Sequence, residues 1–329
     1  MVKISVVMCT YNGARYASQQ LQSFDQQTRL PDELVVCDDA SKDGTATMIA
    51  RYAESAKFDV RIHQNPQNLG YIANFAQALS QATGDLIFLS DQDDVWAADK
   101  IERFVAAFEA RPESLLVYGD SELVDESLTP LGNTLWQLLA FDRTEQARLL
   151  GPEGFDLTLR RGNLFCGCSM AIRKSFRDRL LPMPPGFPHD LWIGMLAAAL
   201  GRIALVDRPT MQYRQHAQQT SGRKLPGPLN QLKRRYDSLK YWKSLAHYER
   251  WSLEHRLVRD RLREITEQFP VAPAVFEMLD DKLAYLNAQA EVRRRLLPRR
   301  VPILYREWAT GRYARFGRGW KSLLIDLLL

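Results

Sequence analysis

The sequence predicts an α/β protein whose central sheet is mainly parallel and covered by helices on both faces. Through the first 120 residues, short and solidly apolar segments alternate with longer amphipathic ones. A strand that is apolar throughout is buried on both faces, whereas a strand with one face in water alternates apolar and polar residues. The amphipathic segments are long enough to form the helices that connections between parallel strands require.

The predicted elements follow one another with short turns. The strands are expected at residues 4–9, 33–37, 60–63, 86–89 and 115–118, and the helices between them at 16–25, 46–55, 72–82 and 99–110. Beyond residue 120 the pattern is less regular, with a strand-like segment at 164–172 and a strand at 203–206 that ends before Tyr213. Four prolines between residues 182 and 188 exclude regular structure there, and a helix is expected to begin at His189.

The segment Leu86–Trp96 combines an apolar strand with an acidic end. Asp91, Asp93 and Asp94 place three carboxylates within four positions at the carboxyl end of that strand, which is where α/β sheets bind ligands. Like charges this close repel one another, so the fold tolerates them at low cost only if a positive charge lies among them. A hard divalent cation, which prefers carboxylate oxygen, could supply that charge. The alternative is a solvated acidic turn that caps the helix beginning near Ala97.

Two other polar turns are predicted at the same edge of the sheet. Residues 10–13 follow the first strand, and Asp38 and Asp39 follow the second, so all three turns should converge on one crevice. The chain has no Walker-type loop, and no glycine-rich dinucleotide motif follows its first strand. A metal on Asp91 and Asp93 would instead neutralise phosphate oxygens and stabilise a diphosphate leaving group, which suits a nucleotide-diphospho-sugar.

A catalytic base is the second requirement of such a reaction. A hydroxyl that attacks the sugar near neutral pH needs a base to remove its proton. Asp190 is the candidate, because it follows the proline-rich loop at the start of a predicted helix. The alternative for the same carboxylate is an N-cap that accepts backbone N–H bonds. The wider pattern of carboxylates favours the base.

Short motifs occur in an order that is typical of one enzyme family. They are VVMCTYN at 6–12, VCDDASKDGT at 36–45, NLGYIAN at 68–74, SDQDDVW at 90–96 and HD at 189–190. Together they resemble the motifs of family 2 glycosyltransferases over about residues 1–220. The resemblance implies the GT-A fold, a mixed and mainly parallel sheet flanked by helices, with residues 1–221 as the catalytic domain. It also implies a nucleotide-diphospho-sugar donor, a divalent metal (Mg²⁺ or Mn²⁺) and inversion at the anomeric carbon by direct displacement.

The resemblance implies roles for single residues by their motif positions. Asp93 would hold the metal, Asp91 would approach the ribose, and Asp190 would deprotonate the acceptor. Asp39, with Asp38 as a second candidate, would bond the pyrimidine. The full set implied for the donor nucleotide is Thr10, Tyr11, Asn12, Asp38, Asp39, Asn68, Gly70, Asn74, Asp91 and Gln92.

The segment Tyr213–His216 and the complete 90–96 string resemble the rhamnosyltransferase-like branch of the family, which implies dTDP-L-rhamnose as donor. His216 would then contact the metal or the diphosphate, and the alternative is a surface histidine in a loop. The Gln-x-x-Arg-Trp motif and membrane helices of processive synthases are missing, which indicates transfer of single sugars. Two alternatives remain open: a hexosyltransferase that uses a UDP-sugar, and a catalytically silent scaffold that binds sugar nucleotides.

Charge divides the chain unevenly. Residues 1–221 carry a net charge of −6 and residues 222–329 one of +11, and the second stretch is predicted to be a helical C-terminal extension. Aromatic residues interleaved with arginines suit helices that lie on anionic lipid. The alternative is a helical bundle that packs on the catalytic domain or joins a homo-oligomer, with its arginines in solvent. Nucleic acid is disfavoured as a partner, because no recognised binding module accompanies the charge.

The remaining features favour a cytoplasmic protein that lies on the inner face of the membrane without crossing it. No apolar run approaches the roughly 20 residues that span a bilayer. The N-terminus enters a strand without the features of a signal peptide. Four cysteines are too few for a disulfide scaffold and fit reduced core thiols. The expected acceptor is a hydroxyl of a lipid-linked saccharide or of a surface polysaccharide, such as an O-antigen of the cell envelope.

Overall fold

The computed structural model describes residues 2–217, 219 and 244–328. The chain forms two compact units: Met1–Pro152 with Asn163–Arg223, and Glu153–Gly162 with Lys224–Leu329. The predicted boundary between residues 221 and 222 lies outside the described residues, so the division into domains 1–221 and 222–329 stays a prediction. Residues 153–162, which the prediction placed in the first domain, belong to the second unit.

The first unit is built on one mixed sheet. Its described strands are β1 (Ile4–Thr10), β2 (Glu33–Asp38), β3 (Asp59–Gln64), β4 (Leu86–Ser90), β5 (Val95–Trp96), β6 (Leu116–Val124), β7 (Pro130–Thr134), β8 (Met170–Arg173) and β9 (Ile203–Arg214). They lie in the order β3-β2-β1-β4-β8-β6-β9-β5, and β7 pairs with β6. Strands β3, β2, β1 and β4 are parallel, β8 is antiparallel to both of its neighbours, and β6 is parallel to β9. The predicted α/β fold is confirmed.

Helices follow most of the strands, as the amphipathic segments predict. The described α-helices are α1 (Ala17–Asp25), α2 (Thr45–Ala53), α3 (Tyr71–Gln81), α4 (Lys100–Ala110), α5 (Leu135–Leu138), α6 (Arg143–Leu150), α7 (Gly154–Arg161), α8 (Lys174–Leu180), α9 (His189–Ala199), α10 (Leu245–Ile265), α11 (Pro273–Arg294), α12 (Leu297–Ala309), α13 (Arg312–Phe316) and α14 (Trp320–Leu327). Every residue of β1, β2 and β4 is buried, as their apolar composition requires. The polar turns follow directly after the carboxyl ends of these three buried strands.

The strand predicted at residues 164–172 is mostly absent. A 3-10 turn at Gly167–Ser169 precedes a short strand, β8. The Ser169 amide donates to the Cys166 carbonyl at 3.1 Å, so the chain turns instead of extending. The apolar residues around this turn pack into the core from a bent backbone, which an apolar run alone does not distinguish from a strand.

Strand β9 is longer than predicted. It continues through Pro209 to Arg214, so Tyr213 and Arg214 lie in the sheet and not in the turn that follows it. The pairing with β6 shifts register near Asp120, and these shifts carry the ladder past the proline. The extension places the end of β9 next to the acidic turn after β4.

The second unit is helical, which confirms the prediction of a helical C-terminal region. It contains α7 and the helices α10 to α14. Within it, the buried Asp326 carboxylate accepts hydrogen bonds from Arg293 Nη2 at 2.9 Å and from the Tyr313 hydroxyl at 2.7 Å. Buried Glu307 is paired with Arg312 at 3.3 Å. Among the described helices, none combines the length and the apolar character that a membrane crossing requires.

Candidate functional site

A cavity of about 290 Å³ lies at the carboxyl ends of β1, β2 and β4, where the sequence predicts a crevice. The predicted site residues that line it are Thr10, Tyr11, Asp39, Asn68, Gly70, Asn74, Asp91, Gln92, Asp93 and Asp190. Asn12, Asp38 and His216 lie outside the lining. The turns after the three strands therefore converge, while the role of each residue stays a prediction.

The side chain of Gln92 holds the loop that follows β1. Its Oε1 accepts from Tyr11 N at 2.9 Å, and its Nε2 donates to Tyr11 O at 3.0 Å. This pair of bonds replaces the bonds that a neighbouring strand would make, and it fixes Tyr11 to the acidic turn. Gly13 leaves the room for it, because a Cβ at that position would lie 2.0 Å from Gln92 Oε1. The ring of Tyr11 remains exposed beside the cavity.

Asp38 and Asn12 serve the loops and do not reach the cavity. Asp38 ends β2, and its buried carboxylate accepts from Thr10 Oγ1 at 2.9 Å. Asn12 has a left-handed backbone (φ 48°), and its Oδ1 accepts from Lys42 N at 2.8 Å. Consecutive residues at a strand end point to opposite sides, so Asp39 lines the cavity where Asp38 does not. Neither residue lines the cavity, and the predicted nucleotide-binding role of each stays a prediction.

Asp39 and Asn74 organise the loop that follows β3. Asp39 accepts from Leu69 N at 2.8 Å on Oδ1 and from Gly70 N at 2.9 Å on Oδ2. The Asn65 amide nitrogen bridges Asp39 Oδ1 at 2.9 Å and Asn74 Oδ1 at 3.0 Å. An ionised carboxylate has about four acceptor positions. Three are filled here, so Oδ2 of Asp39 keeps one for a ligand.

The carboxylates of Asp91, Asp93 and Asp94 are crowded. One ligand atom each of Asp91, Asp94 and Cys168 lies within 4.8 Å of the other two. Burial, followed by the charge of Asp93, raises the pKa of Asp91 to about 7. The same two causes raise the pKa of Asp94 well above its usual value. Asp94 Oδ1 accepts from Arg214 N at 3.1 Å, whereas its buried Oδ2 has no hydrogen-bond partner among the described residues.

Two buried cations lie nearby without pairing with these carboxylates. Lys100 Nζ donates to the Cys168 carbonyl at 2.8 Å and lies 4.1 Å from the centre of the Trp96 ring, and burial lowers its pKa to about 8. Arg214 Nε donates to the Asp93 carbonyl at 2.7 Å, and the other two nitrogens of its guanidinium group bind neutral oxygens. Within the described part of the chain, no lysine or arginine forms an ion pair with the three aspartates.

His216 is the basic group that reaches the cluster. Its Nε2 lies 2.7 Å from Asp93 Oδ2, and its ring packs against Tyr16 at 4.8 Å. The side chain is buried, so the alternative of a surface histidine is wrong. The residues present fit a divalent metal, because crowded carboxylates, the orphaned oxygen of Asp94 and an imidazole nitrogen are ligand types that Mg²⁺ or Mn²⁺ accept.

Asp190 also lines the cavity, from the first turn of α9. The N-cap residue of the helix is Pro188, so Asp190 does not occupy the N-cap position, but its carboxylate does accept one backbone N–H bond of the first turn. Its Oδ1 accepts from Leu191 N at 2.7 Å, and its Oδ2 accepts from Asn163 Nδ2 at 2.9 Å. Each oxygen therefore keeps an acceptor position, and the half-buried carboxylate is oriented by Asn163.

His189 is a site residue that the sequence reading missed. Its ring stacks on Phe75 with centroids 4.1 Å apart and lines the cavity, and neither ring nitrogen has a hydrogen-bond partner among the described residues. Burial lowers its pKa. Gly167 allows this approach, because a Cβ there would lie 2.3 Å from His189 Nε2. The signal was its place beside Asp190 in the motif. The other lining residues that were missed are Cys9, Tyr71, Phe75, Cys166, Tyr213 and Gln219.

Comparison with known proteins assigns the family. The model of glycosyl transferase family 2 matches residues 5–180, more than half of the chain. The chain belongs to glycosyl transferase family 2. The predicted enzyme class is confirmed at the level of this family, whereas the rhamnosyltransferase-like branch stays a prediction.

Two curated relatives and one solved structure illustrate the likeness. An uncharacterized glycosyltransferase of Nostoc sp. is 30% identical over 228 residues, which cover 65% of each chain, so the match spans slightly less than two thirds of that relative. The Escherichia coli enzyme UDP-Glc:alpha-D-GlcNAc-diphosphoundecaprenol beta-1,3-glucosyltransferase WfgD is 29% identical over 199 residues, 59% of this chain and 69% of that one. Staphylococcus aureus TarS (residues 1–349, with UDP-GlcNAc) superposes with a TM-score of 0.55 at 19% identity, covering 87% of this chain and 72% of that one, which confirms the GT-A fold.

Proposed function

We propose that this protein transfers a sugar from a nucleotide-diphospho-sugar to an acceptor hydroxyl, with inversion at the anomeric carbon. The observation that supports the proposal is the shared cavity, which brings Asp91 and Asp93 together with Asp190. A leaving diphosphate needs its charge neutralised, and an attacking hydroxyl needs a base. Direct displacement requires both groups in one site, and the cavity supplies both.

The nucleoside of the donor is proposed to lie between the loops after β1 and β3. The exposed ring of Tyr11 offers a surface for the base, and the remaining acceptor position on Asp39 Oδ2 suits the N–H of a pyrimidine. Asn68 and Gly70 lie in the loop that Asp39 holds. Asp91, at the end of the neighbouring strand, would accept from a ribose hydroxyl.

Asp93 and His216 are proposed as metal ligands, with Asp91 and Asp94 as the further oxygens available. When bound, a divalent ion would neutralise the diphosphate oxygens. The chain holds these donors in place, since Arg214 binds the backbone carbonyl of Asp93 at 2.7 Å and the carboxylate of Asp94 at 3.1 Å.

Asp190 is proposed as the base. Its free acceptor positions would take the proton of the acceptor hydroxyl as the oxygen attacks the anomeric carbon, and the proton would then pass to solvent. The Asn163 bond at 2.9 Å fixes the carboxylate plane. The stacked ring of His189 closes the cavity beside it. Inversion follows because attack and departure occur on opposite sides of the sugar.

The donor is proposed to be dTDP-L-rhamnose, with a UDP-hexose as the second candidate. The first is supported by His216, which belongs to the segment resembling the rhamnosyltransferase-like branch and lies 2.7 Å from Asp93. The second is supported by the E. coli relative, whose name gives UDP-glucose. The acceptor is proposed to be a lipid-linked saccharide or a surface polysaccharide, which would be met at the inner face of the cytoplasmic membrane.

Thermal unfolding of the purified chain with UDP-, GDP- and dTDP-sugars, each with and without Mn²⁺, tests the proposal. A ligand at a hundredfold its Kd stabilises the folded protein by about 2.7 kcal/mol. We expect the largest rise in Tm from dTDP-L-rhamnose with Mn²⁺, and a larger rise from UDP-glucose would select the second donor. If a donor raises Tm but a separate assay detects no turnover of any donor, the result would favour a catalytically silent scaffold that binds sugar nucleotides. Silence toward every nucleotide sugar would contradict the proposal.

A further inference from the structure

Helix α14 exposes its apolar side and buries its polar side. Ser322 and Asp326 face the interior of the unit, whereas Trp320, Leu324 and Leu327 are exposed. Residues three and four positions apart share one face of a helix. The exposed fraction is 59% for Trp320 and 44% for Leu324, so large apolar side chains meet water along this face. A helix at a water surface normally has the opposite arrangement.

The orientation of α14 is fixed by hydrogen bonds on its polar side. Asp326 accepts from the Tyr313 hydroxyl at 2.7 Å and from Arg293 Nη2 at 2.9 Å. Ser322 Oγ accepts from Arg318 N at 2.9 Å. Turning the helix over would break all three bonds and leave Asp326 without its cation. The outward apolar face is therefore part of the packed structure.

Helix α12, which contacts α14, carries a second exposed apolar stripe. Ile303 and Leu304 are buried within the unit, and the stripe lies on the adjoining arc of the helix. We name the exposed large apolar residues of these two contacting helices the α12–α14 face: Leu297, Val301, Tyr305, Trp308, Trp320, Leu324 and Leu327. A grouped set of exposed large apolar side chains marks an interaction surface.

The segment that carries this face is basic, although Arg294 and Arg295 at its start pair with Glu249 and Glu291, and Arg312 pairs with Asp281. Residues 293–328 contain ten lysines and arginines and two carboxylates, Glu307 and Asp326. Both carboxylates are buried and paired with arginines of the same unit. Every exposed charged side chain of the segment is therefore positive. The complementary partner carries negative charge at its surface and an apolar layer directly beneath it.

We propose that the α12–α14 face docks on the surface of an anionic lipid bilayer. The apolar stripes would enter the boundary between headgroups and acyl chains, where tryptophan and tyrosine rings are favoured, and the flanking arginines would meet the headgroups. A second copy of this chain would cover the apolar stripes but bring two positive surfaces together. A nucleic acid would match the charge but not the apolar stripes.

Sedimentation of the full chain with vesicles tests the proposal independently of the sugar-transfer chemistry. The vesicles are phosphatidylcholine alone or phosphatidylcholine mixed with phosphatidylglycerol. Leu324→Glu is compared with Leu253→Glu, a matched control on α10 whose leucine is 50% exposed. We expect wild type and the control to bind the anionic vesicles and Leu324→Glu to bind them at least about tenfold more weakly. Lys321→Gln should weaken binding about fivefold, and only at low salt.

Several outcomes would overturn the proposal. These are equal vesicle binding by Leu324→Glu and its control, no binding by wild type, and a dimer that Leu324→Glu separates without any vesicle binding. If Leu324→Glu lowers Tm, Tyr305→Glu replaces it, because Tyr305 belongs to the same face and is 72% exposed. The rise in Tm caused by the donor should be the same in all variants, so failure of docking is distinguishable from failure of the proposed function.

Discussion

The two units differ in whether their desolvated carboxylates are paired with arginines. In the second unit, Asp326 and Glu307 are buried, and each is paired with an arginine. At the rim of the first unit's sheet, Asp91 and Asp94 lie together while the guanidinium of Arg214 binds neutral oxygens. A buried charge left unpaired lowers stability. This difference supports the proposal that the acidic oxygens at the rim bind a cation from outside the chain.

The same contrast exists within the sheet of the first unit. Glu33, at the start of β2, is desolvated, but its carboxylate accepts from Ser5 Oγ at 2.5 Å and from Thr83 N at 2.6 Å and pairs with Arg61 at 2.6 Å. Burial alone would raise the pKa of Glu33, and these contacts outweigh it and lower the pKa to about 2. The pKa of Asp91, at the opposite end of the sheet, is raised to about 7. Four substitutions test this contrast.

Asp190→Asn should have the largest effect and should act on activity alone. Loss of a general base lowers the rate of transfer by roughly 10²- to 10⁴-fold. The donor-induced rise in Tm should persist, because Asn keeps the shape and the acceptor oxygen. Asp178→Asn, on the exposed side of α8, is the control and should leave the rate unchanged. Turnover near the wild-type rate would assign the base to another carboxylate.

Asp326→Ala should have the largest effect on stability. It removes the carboxylate that pairs with buried Arg293, which also donates to neutral oxygens of Gln289 and Tyr248. Breaking a buried ion pair in this way costs about 3–5 kcal/mol of unfolding free energy. The exposed Asp260, which pairs with Arg259 at 3.6 Å, provides the control, and Asp260→Ala should cost at most about 0.5 kcal/mol. Urea denaturation followed by circular dichroism measures both. If both substitutions lowered the free energy of unfolding equally, the buried pair of Asp326 would not differ in energy from an exposed pair, and the contrast between the units would fail.

Glu33→Gln should change the response of stability to acid. The pKa of Glu33 in the folded protein is depressed, so its contribution is present above the unfolded pKa of 4.5 and is lost as pH falls toward about 2. The difference corresponds to about 3 kcal/mol. We expect wild type to lose this stability in urea denaturation across that pH window and Glu33→Gln to show a flatter profile. The exposed Glu109, changed to Gln, should keep the wild-type slope.

Asp93→Asn should have the smallest effect on stability, and the effect should be favourable. The charge of Asp93 raises the pKa of Asp91, so removing it relieves repulsion that destabilises the metal-free fold as pH rises toward 7. In EDTA near neutral pH we expect Tm to be unchanged or raised. The corresponding gain in the free energy of unfolding is at most about 1 kcal/mol. The rise in Tm caused by Mn²⁺ should disappear. Asp99→Asn, which removes a partner of Arg103, should retain the Mn²⁺ response. A wild-type Mn²⁺ response in Asp93→Asn would exclude Asp93 as a ligand.

The sequence was sufficient for the fold and for the position of the cavity, because both follow from patterns that are local. Solidly apolar strands and polar turns at their carboxyl ends fix the sheet and its functional edge. The choice between Asp38 and Asp39 was not local, since it depends on which of two successive side chains points inward. His189 was missed because its stacking on Phe75 joins residues far apart in the sequence.

The second unit shows the same limit on a larger scale. The apolar residues of α14 form a regular pattern, but the pattern alone does not tell which side faces the interior. The hydrogen bonds of Asp326 decide this, and they come from two other helices. The turn at Gly167–Ser169 was likewise invisible, because an apolar run fits a strand and a bent core segment equally well.

The course of the chain through α7 has a practical consequence for trimming the enzyme. Residues 153–162 leave the first unit and return to it at Asn163, before the chain enters the second unit again. A fragment that stops near residue 221 would keep α7 but lose α11 and α13, which contact it. The side chains of Phe155 and Leu159, which are buried in the full chain, would then be exposed to solvent, and the fragment would aggregate. A minimal version would need excision of α7 as well, with Pro152 spliced to Asn163 through a short linker.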